Sequence, residues 1–167
     1  VLFLLGCTAQ NEVPAAVKNL ERFKTITIEH PGIKAPSFQL IDDGGSKLDN
    51  EFLKGKVYVL QGFAPGCSSC AREIANLNVV YDKFKDKGLE IISLDIASEG
   101  IDGAIATKKQ YNGGDWHWTI DTDNVAVNFA MATLESTYIV DKEGIVRYKD
   151  ESISDANILI KEIEKLI

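Results

Sequence analysis

The sequence is short of the residues from which several common kinds of site are built. Its 167 residues include three cysteines and two histidines. Three cysteines are too few for a small fold held together by disulfides. The two histidines, His30 and His117, stand apart in the sequence and do not supply the second ligand pair that a zinc site with two close cysteines would need. Each cysteine therefore requires its own explanation.

Positive charge is also scarce. The chain carries 18 Lys and Arg against 25 Asp and Glu, a formal net charge of −7, and has no basic run. A nucleic-acid surface would need a basic patch, so we expect no nucleic-acid partner. Hydrophobic residues make up 45% of the chain and charged residues 26%, which is usual for a globular protein able to bury a core. The length fits one domain.

Long apolar runs are missing as well. Residues 1–5 are apolar, but a bilayer-spanning helix takes about 20 residues. The run is typical of the end of a secretory signal peptide, and residues 4–7, Leu-Leu-Gly-Cys, resemble the lipobox of secreted lipoproteins. That resemblance implies that Cys7 is lipidated and that residues 1–6 are removed; the alternative is a short buried strand with an inert cysteine. We expect residues 1–7 to end a signal peptide and the protein to be lipid-anchored at the membrane, outside the cytoplasm.

The remaining pattern predicts a polar tether followed by one α/β domain. Residues 8–34 are polar and are interpreted as a tether and lead-in, with a short helix predicted at 14–23. Residues 35–41 lead into a turn at 42–45, a hairpin signal. Apolar periodicity then predicts strands at 57–63, 89–94 and 118–120, helices at 67–87 and 100–111, a helical turn at 125–131, a hairpin of 137–140 with 145–148, and a last helix at 154–167 capped by Ser154. This order favours a partly parallel sheet with a final antiparallel pair.

The motif Cys67-Ser68-Ser69-Cys70 carries the clearest chemistry. Thiol–disulfide exchange needs one attacking thiolate and a second thiol close enough to resolve the mixed disulfide. A strand–loop–helix context places Cys67 at a helix N-terminus, where the helix dipole lowers a thiol pKa, and Cys70 one turn inside. The two serine hydroxyls offer hydrogen bonds to the thiolate, which would lower its pKa mildly. Half of a zinc site and a structural disulfide are the alternatives.

Residues 62–73, around this motif, resemble the active-site segment of the TlpA/ResA-like branch of the thioredoxin superfamily. Residues 35–40 and 53–57 look like the lead-in of that branch, and residues 136–141 with Gly144 look like its late hairpin, so the resemblance covers residues 35–167. It implies a thioredoxin-like three-layer sandwich: a mixed central sheet with helices on both faces and an N-terminal hairpin extension. It also implies a thiol–disulfide oxidoreductase for protein substrates outside the cytoplasm, often in cytochrome c maturation.

The same resemblance assigns roles to individual residues. Cys67 and Cys70 are expected to be catalytic as a redox-active disulfide without a further cofactor. Glu73 matches an acidic position of this branch and would accept the proton of Cys70; the alternative is an ordinary glutamate of the first helical turn. Pro65 and Gly66 are expected to contact substrate, although the branch usually has tryptophan where Gly66 stands. A monomer with a membrane-bound electron donor or acceptor is implied.

Two further positions are interpreted as substrate-binding. Glu135 occupies the place where the branch usually has a cis-proline, in a loop that faces the cysteines. A cis peptide before a non-proline residue costs about 3–4 kcal/mol, so none is expected there. Glu135 either approaches the thiols, raising their pKa by repulsion, or is a solvated loop residue. Trp116 either forms a substrate platform or belongs to the core, and His117 is interpreted as a hydrogen-bonded residue rather than a ligand.

Two other functions compete with the oxidoreductase. A lipid-anchored copper carrier would use the thiolates of Cys67 and Cys70, which suit Cu(I). Carriers on this fold typically have three residues between their cysteines and a histidine before the late strand. This chain has two residues between its cysteines and Glu135 before that strand. A peroxidase of the peroxiredoxin type needs a threonine three residues before its reactive cysteine, and Ala64 stands there. No other metal site is predicted.

Overall fold

A mixed sheet of six strands runs through the part of the chain that the computed structural model describes, residues 28–97 and 100–167. Cys7 and the predicted helix at 14–23 lie outside these residues. The strands are Ile33–Lys34 (β1), Gln39–Ile41 (β2), Lys47–Asp49 (β3), Tyr58–Phe63 (β4), Glu90–Asp95 (β5), His117–Ile120 (β6), Thr137–Val140 (β7) and Ile145–Asp150 (β8). The helices are Ser68–Phe84 (α1), Ile101–Gln110 (α2), Val125–Asn128 (α3) and Ala156–Glu164 (α4).

The sheet order is β1-β8-β7-β4-β5-β6, with β2 and β3 forming a separate hairpin. Strands β4, β5 and β6 are parallel to one another, whereas β7, β8 and β1 join on the other side by antiparallel pairing. The predicted strands, the final hairpin and the N-terminal hairpin extension are therefore confirmed. The carboxyl ends of β4, β5 and β6 meet at one edge of the sheet, and the loop that carries the cysteines leaves β4 at this edge.

Strand β4 forms the centre of the core because both of its faces are covered. All six of its residues are buried, as expected for a central strand between two layers. Val59 and Phe63 pack with α1 and α4 on one face. Tyr58 and Leu60 pack on the other face, with the β2–β3 hairpin and α3. The predicted three-layer arrangement is thus confirmed, and the hairpin makes up much of the second outer layer.

Helix α1 is amphipathic, and its apolar face fixes the direction in which it leaves the cysteine motif. Ile74, Leu77, Val80 and Phe84 are buried at three- and four-residue spacing, the spacing of one helix face. The α-helical part ends at Phe84, and a 3₁₀ turn, Lys85–Lys87, follows. The apolar stripe therefore holds the amino end of α1, and Cys67 with it, at the carboxyl edge of β4.

One predicted helix cap needs correction, and the end of the predicted tether and lead-in, residues 8–34, contains a strand. Ile33 pairs with Val146 in the sheet; the open edge of β8 has backbone groups that an added strand can satisfy. Asp155, not Ser154, caps α4, and its side chain accepts a hydrogen bond from the Asn157 N–H at 2.8 Å. Ser154 is fully buried, so its polar groups bond to the protein interior instead.

Candidate active site

The cysteine pair lies where the loop after β4 enters α1. Cys67 and Cys70 form a disulfide with their Cα atoms 5.3 Å apart. Cys67 is the N-cap residue of the helix, and its sulfur accepts a hydrogen bond from the Cys70 N–H at 3.2 Å. An N–H group directed at the sulfur, together with the helix dipole, favours the anionic form once the disulfide is reduced. The predicted position at a helix N-terminus is therefore confirmed.

The two sulfurs differ in accessibility. Cys67 is partly exposed, whereas Cys70 is 0% exposed and packs in the core on the buried face of α1. The exposure of the two residues favours Cys67 over Cys70 as the one that a large reaction partner can reach. This asymmetry is the physical basis for assigning different roles to the two cysteines.

The two residues before the pair shape its approach. Pro65 is half-buried and Gly66 is exposed. Gly66 has φ +75°, and a Cβ there would meet no atom within 4 Å. The left-handed backbone, rather than crowding, therefore explains why glycine stands in this position. Contact of Pro65 and Gly66 with substrate stays a prediction.

Glu73 lies in the core one helical turn beyond Cys70. Its side chain is 0% exposed. The Thr137 hydroxyl donates to one carboxyl oxygen at 2.8 Å, and the Ser154 N–H donates to the other at 2.7 Å. Burial raises the pKa of Glu73 to about 7, against the lowering effect of these two hydrogen bonds. An acid that is enclosed and half-ionised near neutral pH differs from an ordinary glutamate of the first helical turn, and it suits proton exchange.

A second buried carboxyl, that of Asp150, lies next to this acid. Asp150 accepts hydrogen bonds from the Tyr148 hydroxyl at 3.0 Å and the Ser154 hydroxyl at 3.2 Å. Its negative charge adds to the raised pKa of Glu73. Sequence reasoning missed Asp150, Thr137 and the role of Ser154. The available signal was an acidic residue two positions after Tyr148, on the same face of β8.

Glu135 lies against the cysteine motif. The Ser69 hydroxyl donates a hydrogen bond to the Glu135 carboxylate, and the same hydroxyl oxygen is 3.3 Å from the Cys67 sulfur. Glu135 is half-buried in the loop before β7, and the peptide bonds of the described residues are trans. The structure thus brings Glu135 towards the thiols, as the first of its two sequence interpretations expects. Its contact with substrate stays a prediction.

Trp116 does not lie beside the cysteines. It directly precedes β6, at the amino edge of the parallel strands, whereas the cysteine loop follows β4 at the carboxyl edge. The side chain is 6% exposed, donates to the Ser93 hydroxyl at 3.0 Å and stacks on Trp118. The interpretation as a substrate platform is therefore wrong for this structure. Trp116 is a core residue, which was the alternative interpretation.

His117 is held at the same amino edge by two carboxylates. Its ring nitrogens are 2.7 Å from Asp42 and 3.0 Å from Glu90. Burial lowers the pKa of His117, but the two hydrogen bonds outweigh that effect and hold the pKa above its usual value. A cavity of about 420 Å³ opens beside it. His117 is thus the hydrogen-bonded residue that the sequence predicted.

The geometry gives little support to the peroxidase and metal-binding alternatives. Ala64, three residues before Cys67, is 8% exposed and has no hydroxyl, so the peroxidase interpretation lacks the threonine it needs. Within residues 28–97 and 100–167, no group of three or more His, Cys, Asp or Glu side chains is arranged to hold a metal ion.

Comparison with known proteins agrees with the fold and the site. Residues 31–149 match the model of the AhpC/TSA family. The thiol-disulfide oxidoreductase ResA of Bacillus thuringiensis is 31% identical over 116 residues, which cover 69% of this chain and 66% of that protein. The thiol:disulfide interchange protein DsbE of Allochromatium vinosum is 29% identical over 136 residues, covering 80% and 73%.

A solved structure matches as well. The thioredoxin domain of a thiol-disulfide oxidoreductase from Bacteroides vulgatus superposes with a TM-score of 0.66 at 25% identity, covering 80% of this chain and 95% of that one. A thioredoxin-like fold with a Cys-x-x-Cys pair at the start of a helix is typical of thiol–disulfide oxidoreductases. The chain belongs to the AhpC/TSA family, and its predicted place in the TlpA/ResA-like branch of the thioredoxin superfamily is confirmed.

Proposed function

We propose that this protein exchanges disulfides with protein substrates outside the cytoplasm, as a membrane-anchored monomer that uses Cys67 and Cys70. The observation that carries the proposal is the asymmetry of the pair. Cys67 is partly exposed at a helix N-terminus, and Cys70 is enclosed on the buried face of that helix. Such a pair can engage a substrate with one cysteine and release it with the other. The names of the ResA and DsbE relatives support the same activity.

The exchange proceeds in two balanced steps when the protein acts as a reductant. The Cys67 thiolate attacks one sulfur of a substrate disulfide, that S–S bond breaks, and the departing sulfur takes up a proton. Cys70 then loses its proton and attacks the Cys67 sulfur, which breaks the mixed disulfide and releases the substrate as a dithiol. Two electrons pass to the substrate and the Cys67–Cys70 disulfide forms. The same steps in reverse oxidise a substrate dithiol.

Glu73 is suited to take the proton in the second step. A thiol in apolar surroundings ionises reluctantly, so the buried Cys70 needs a base before it can attack. Residues three apart on a helix are neighbours, and Glu73 stands three positions after Cys70 on α1. With a pKa of about 7, Glu73 can accept a proton at neutral pH and return it during the reverse reaction.

The membrane anchor and the electron supply are further parts of the proposal. The motif that ends at Cys7 supports a lipid anchor, with the electron donor or acceptor in the same membrane. Within the residues that the structure describes, no helix has the length and apolar character to cross a bilayer. A lipid anchor would keep the domain next to a membrane partner. Protein dithiols such as those handled in cytochrome c maturation are the proposed substrates.

Lipidation is tested by expressing the gene with its complete upstream region in cells fed radiolabelled palmitate. The protein should incorporate label and sediment with membranes, whereas C7S should incorporate none and become soluble. The variant C67S is the matched control, because it also loses one thiol but should keep the label. Label retained in C7S would refute the anchor at this residue.

A redox titration tests the proposed activity. The chain from residue 8 onward is equilibrated in thiol buffers of set potential, alkylated and weighed by mass spectrometry. We expect one reversible two-electron transition. A midpoint near about −270 mV would make the protein a reductant, and one near about −120 mV an oxidant. If Cys67 and Cys70 show no reversible transition and the reduced protein retains stoichiometric copper, the carrier function replaces the oxidoreductase.

A further inference from the structure

Ser69 occupies a position between the reactive sulfur and a carboxylate. Its hydroxyl oxygen is 3.3 Å from the Cys67 sulfur and forms a hydrogen bond with a Glu135 carboxyl oxygen. A hydroxyl has a single proton to donate. An ionised carboxylate is a much better acceptor than the sulfur of the Cys67–Cys70 disulfide, so the hydroxyl hydrogen is directed to Glu135. The side of the hydroxyl that faces Cys67 then presents a lone pair.

We propose that Glu135 controls the reactivity of Cys67 through Ser69. Glu135 accepts the hydrogen bond that the Ser69 hydroxyl can donate, so this hydrogen bond is withheld from the Cys67 thiolate. The inference rests on the proposed function, in which Cys67 is the attacking thiol. Ser69 and Glu135 are positioning residues in it, since they act on the sulfur rather than on the substrate.

The two protonation states of reduced Cys67 respond differently to this arrangement. A thiol can donate its S–H to the free lone pair of Ser69. A thiolate meets the same lone pair without gaining a hydrogen bond. The Ser69–Glu135 pair therefore favours the thiol and opposes the Cys70 N–H, which donates to the sulfur at 3.2 Å and favours the thiolate. This is the reverse of the sequence-based expectation, in which the serine hydroxyls stabilise the thiolate.

Other charged groups lie at the same edge of the sheet. Arg72 and Glu73 belong to α1, Asp95 ends β5, Asp121 follows β6, and Asp150 ends β8. Glu73 already receives hydrogen bonds from Thr137 and Ser154. The side chain of Asp121 accepts from the backbone at the start of α3. Among these carboxyl groups, Glu135 is the one that accepts a hydrogen bond from a side chain of the cysteine motif, so Glu135 is the residue to substitute.

The test is a double-mutant cycle on the rate at which reduced Cys67 is alkylated. The full chain is reduced and treated with iodoacetamide across a range of pH, and peptide mapping separates Cys67 from the other cysteines. In E135A the Ser69 hydroxyl is free to donate to the thiolate. We expect alkylation of Cys67 below the midpoint of its pH profile to become about tenfold faster, with that midpoint about one pH unit lower.

The cycle separates a relay through Ser69 from direct repulsion by the Glu135 charge. If Ser69 carries the effect, E135A in an S69A background should change the rate by less than about twofold. A full tenfold gain in that background would mean that the charge acts directly, and would overturn the proposal. No gain in E135A alone would overturn it as well. E135L, which keeps much of the size of the side chain without an acceptor oxygen, guards against a loop rearrangement and should also accelerate alkylation.

Two matched controls are available. S46A removes an exposed serine from the turn between β2 and β3, and E143A removes a carboxylate from the turn between β7 and β8; both should leave the alkylation profile unchanged. Alkylation does not depend on turnover. Even a protein without reversible disulfide chemistry can therefore show whether Glu135 acts on Cys67 through Ser69. Failure of the proposed function and failure of this proposal are thus distinguishable.

Discussion

Replacing Cys70 by serine should trap the protein on its substrate, whereas replacing Cys67 should prevent attachment altogether. Cys67 is the accessible sulfur and Cys70 is 0% exposed, so the first covalent bond to a substrate forms at Cys67. Without Cys70 the mixed disulfide has no internal thiol to resolve it. The complex should accumulate with a disulfide-containing test protein and be visible on a non-reducing gel. In C67S the exchange rate should fall by at least about a thousandfold, because the attacking atom is absent.

The trapping experiment has its own internal control. C7S removes the third cysteine, which stands far from the pair in sequence, and should exchange disulfides at the normal rate. Equal trapping by C67S and C70S would contradict the assignment, because it would mean that either sulfur can reach the substrate. Failure of C70S to form a mixed disulfide with the test protein would contradict the assignment too.

Local patterns in the sequence were sufficient to predict most of the fold. The apolar spacing of Ile74, Leu77 and Val80 predicts α1, and these residues are buried on one face of it. The run at residues 57–63 predicts β4, which differs by one residue at its start. Cys67 follows a strand and precedes a helix, so its place at a helix N-terminus is also a local property. Such features depend on neighbours in the chain, which the sequence displays directly.

The surroundings of Glu73 could not be predicted in the same way. Its hydrogen-bond donors, Thr137 and Ser154, lie 64 and 81 residues further along the chain, and no local pattern connects them. Ser154 shows the difficulty most clearly. Serine before an apolar helix predicts an N-cap, but the tertiary structure buries it against Glu73 and Asp150 and leaves the cap to Asp155.

The family resemblance supplied one part of the site and not another. Glu135 was identified only because it stands where the TlpA/ResA-like branch usually has proline. Its hydrogen bond with Ser69 followed from neither the resemblance nor the spacing, because the two residues are 66 positions apart. The Trp116 interpretation was wrong for a related reason. Sequence proximity to aromatic neighbours does not say which edge of a parallel sheet a residue occupies, and the strand order that decides it is a tertiary property.

Substituting Glu73 by glutamine should slow the resolving step and remove its pH dependence. The rate at which Cys70 attacks the mixed disulfide should rise with pH around a midpoint near 7, the pKa of Glu73, because the ionised carboxylate accepts the proton. In E73Q this profile should flatten, with a loss of about a hundredfold above the midpoint. The rate of the resolving step is measured as the single-turnover release of a labelled substrate. T137V removes a hydrogen bond that lowers the pKa of Glu73, so its midpoint should move above that of the unmodified protein.

The same substitution has a thermodynamic consequence that a mere packing defect would not produce. Glu73 ionises near 4.5 when unfolded and near about 7 in the fold, so its contribution to stability is complete below pH 4.5 and is lost as pH rises through 7. The loss amounts to about 3 kcal/mol. The glutamine amide can keep both contacts, because its oxygen can accept from the Ser154 N–H while its N–H₂ group donates to the Thr137 hydroxyl oxygen, and it does not ionise at any pH. Urea unfolding between pH 4 and 8 should therefore give a smaller fall in the free energy of unfolding for E73Q than for the unmodified protein. Parallel curves for the two proteins would mean that Glu73 keeps an ordinary pKa, and the proton-acceptor role would then lose its physical basis.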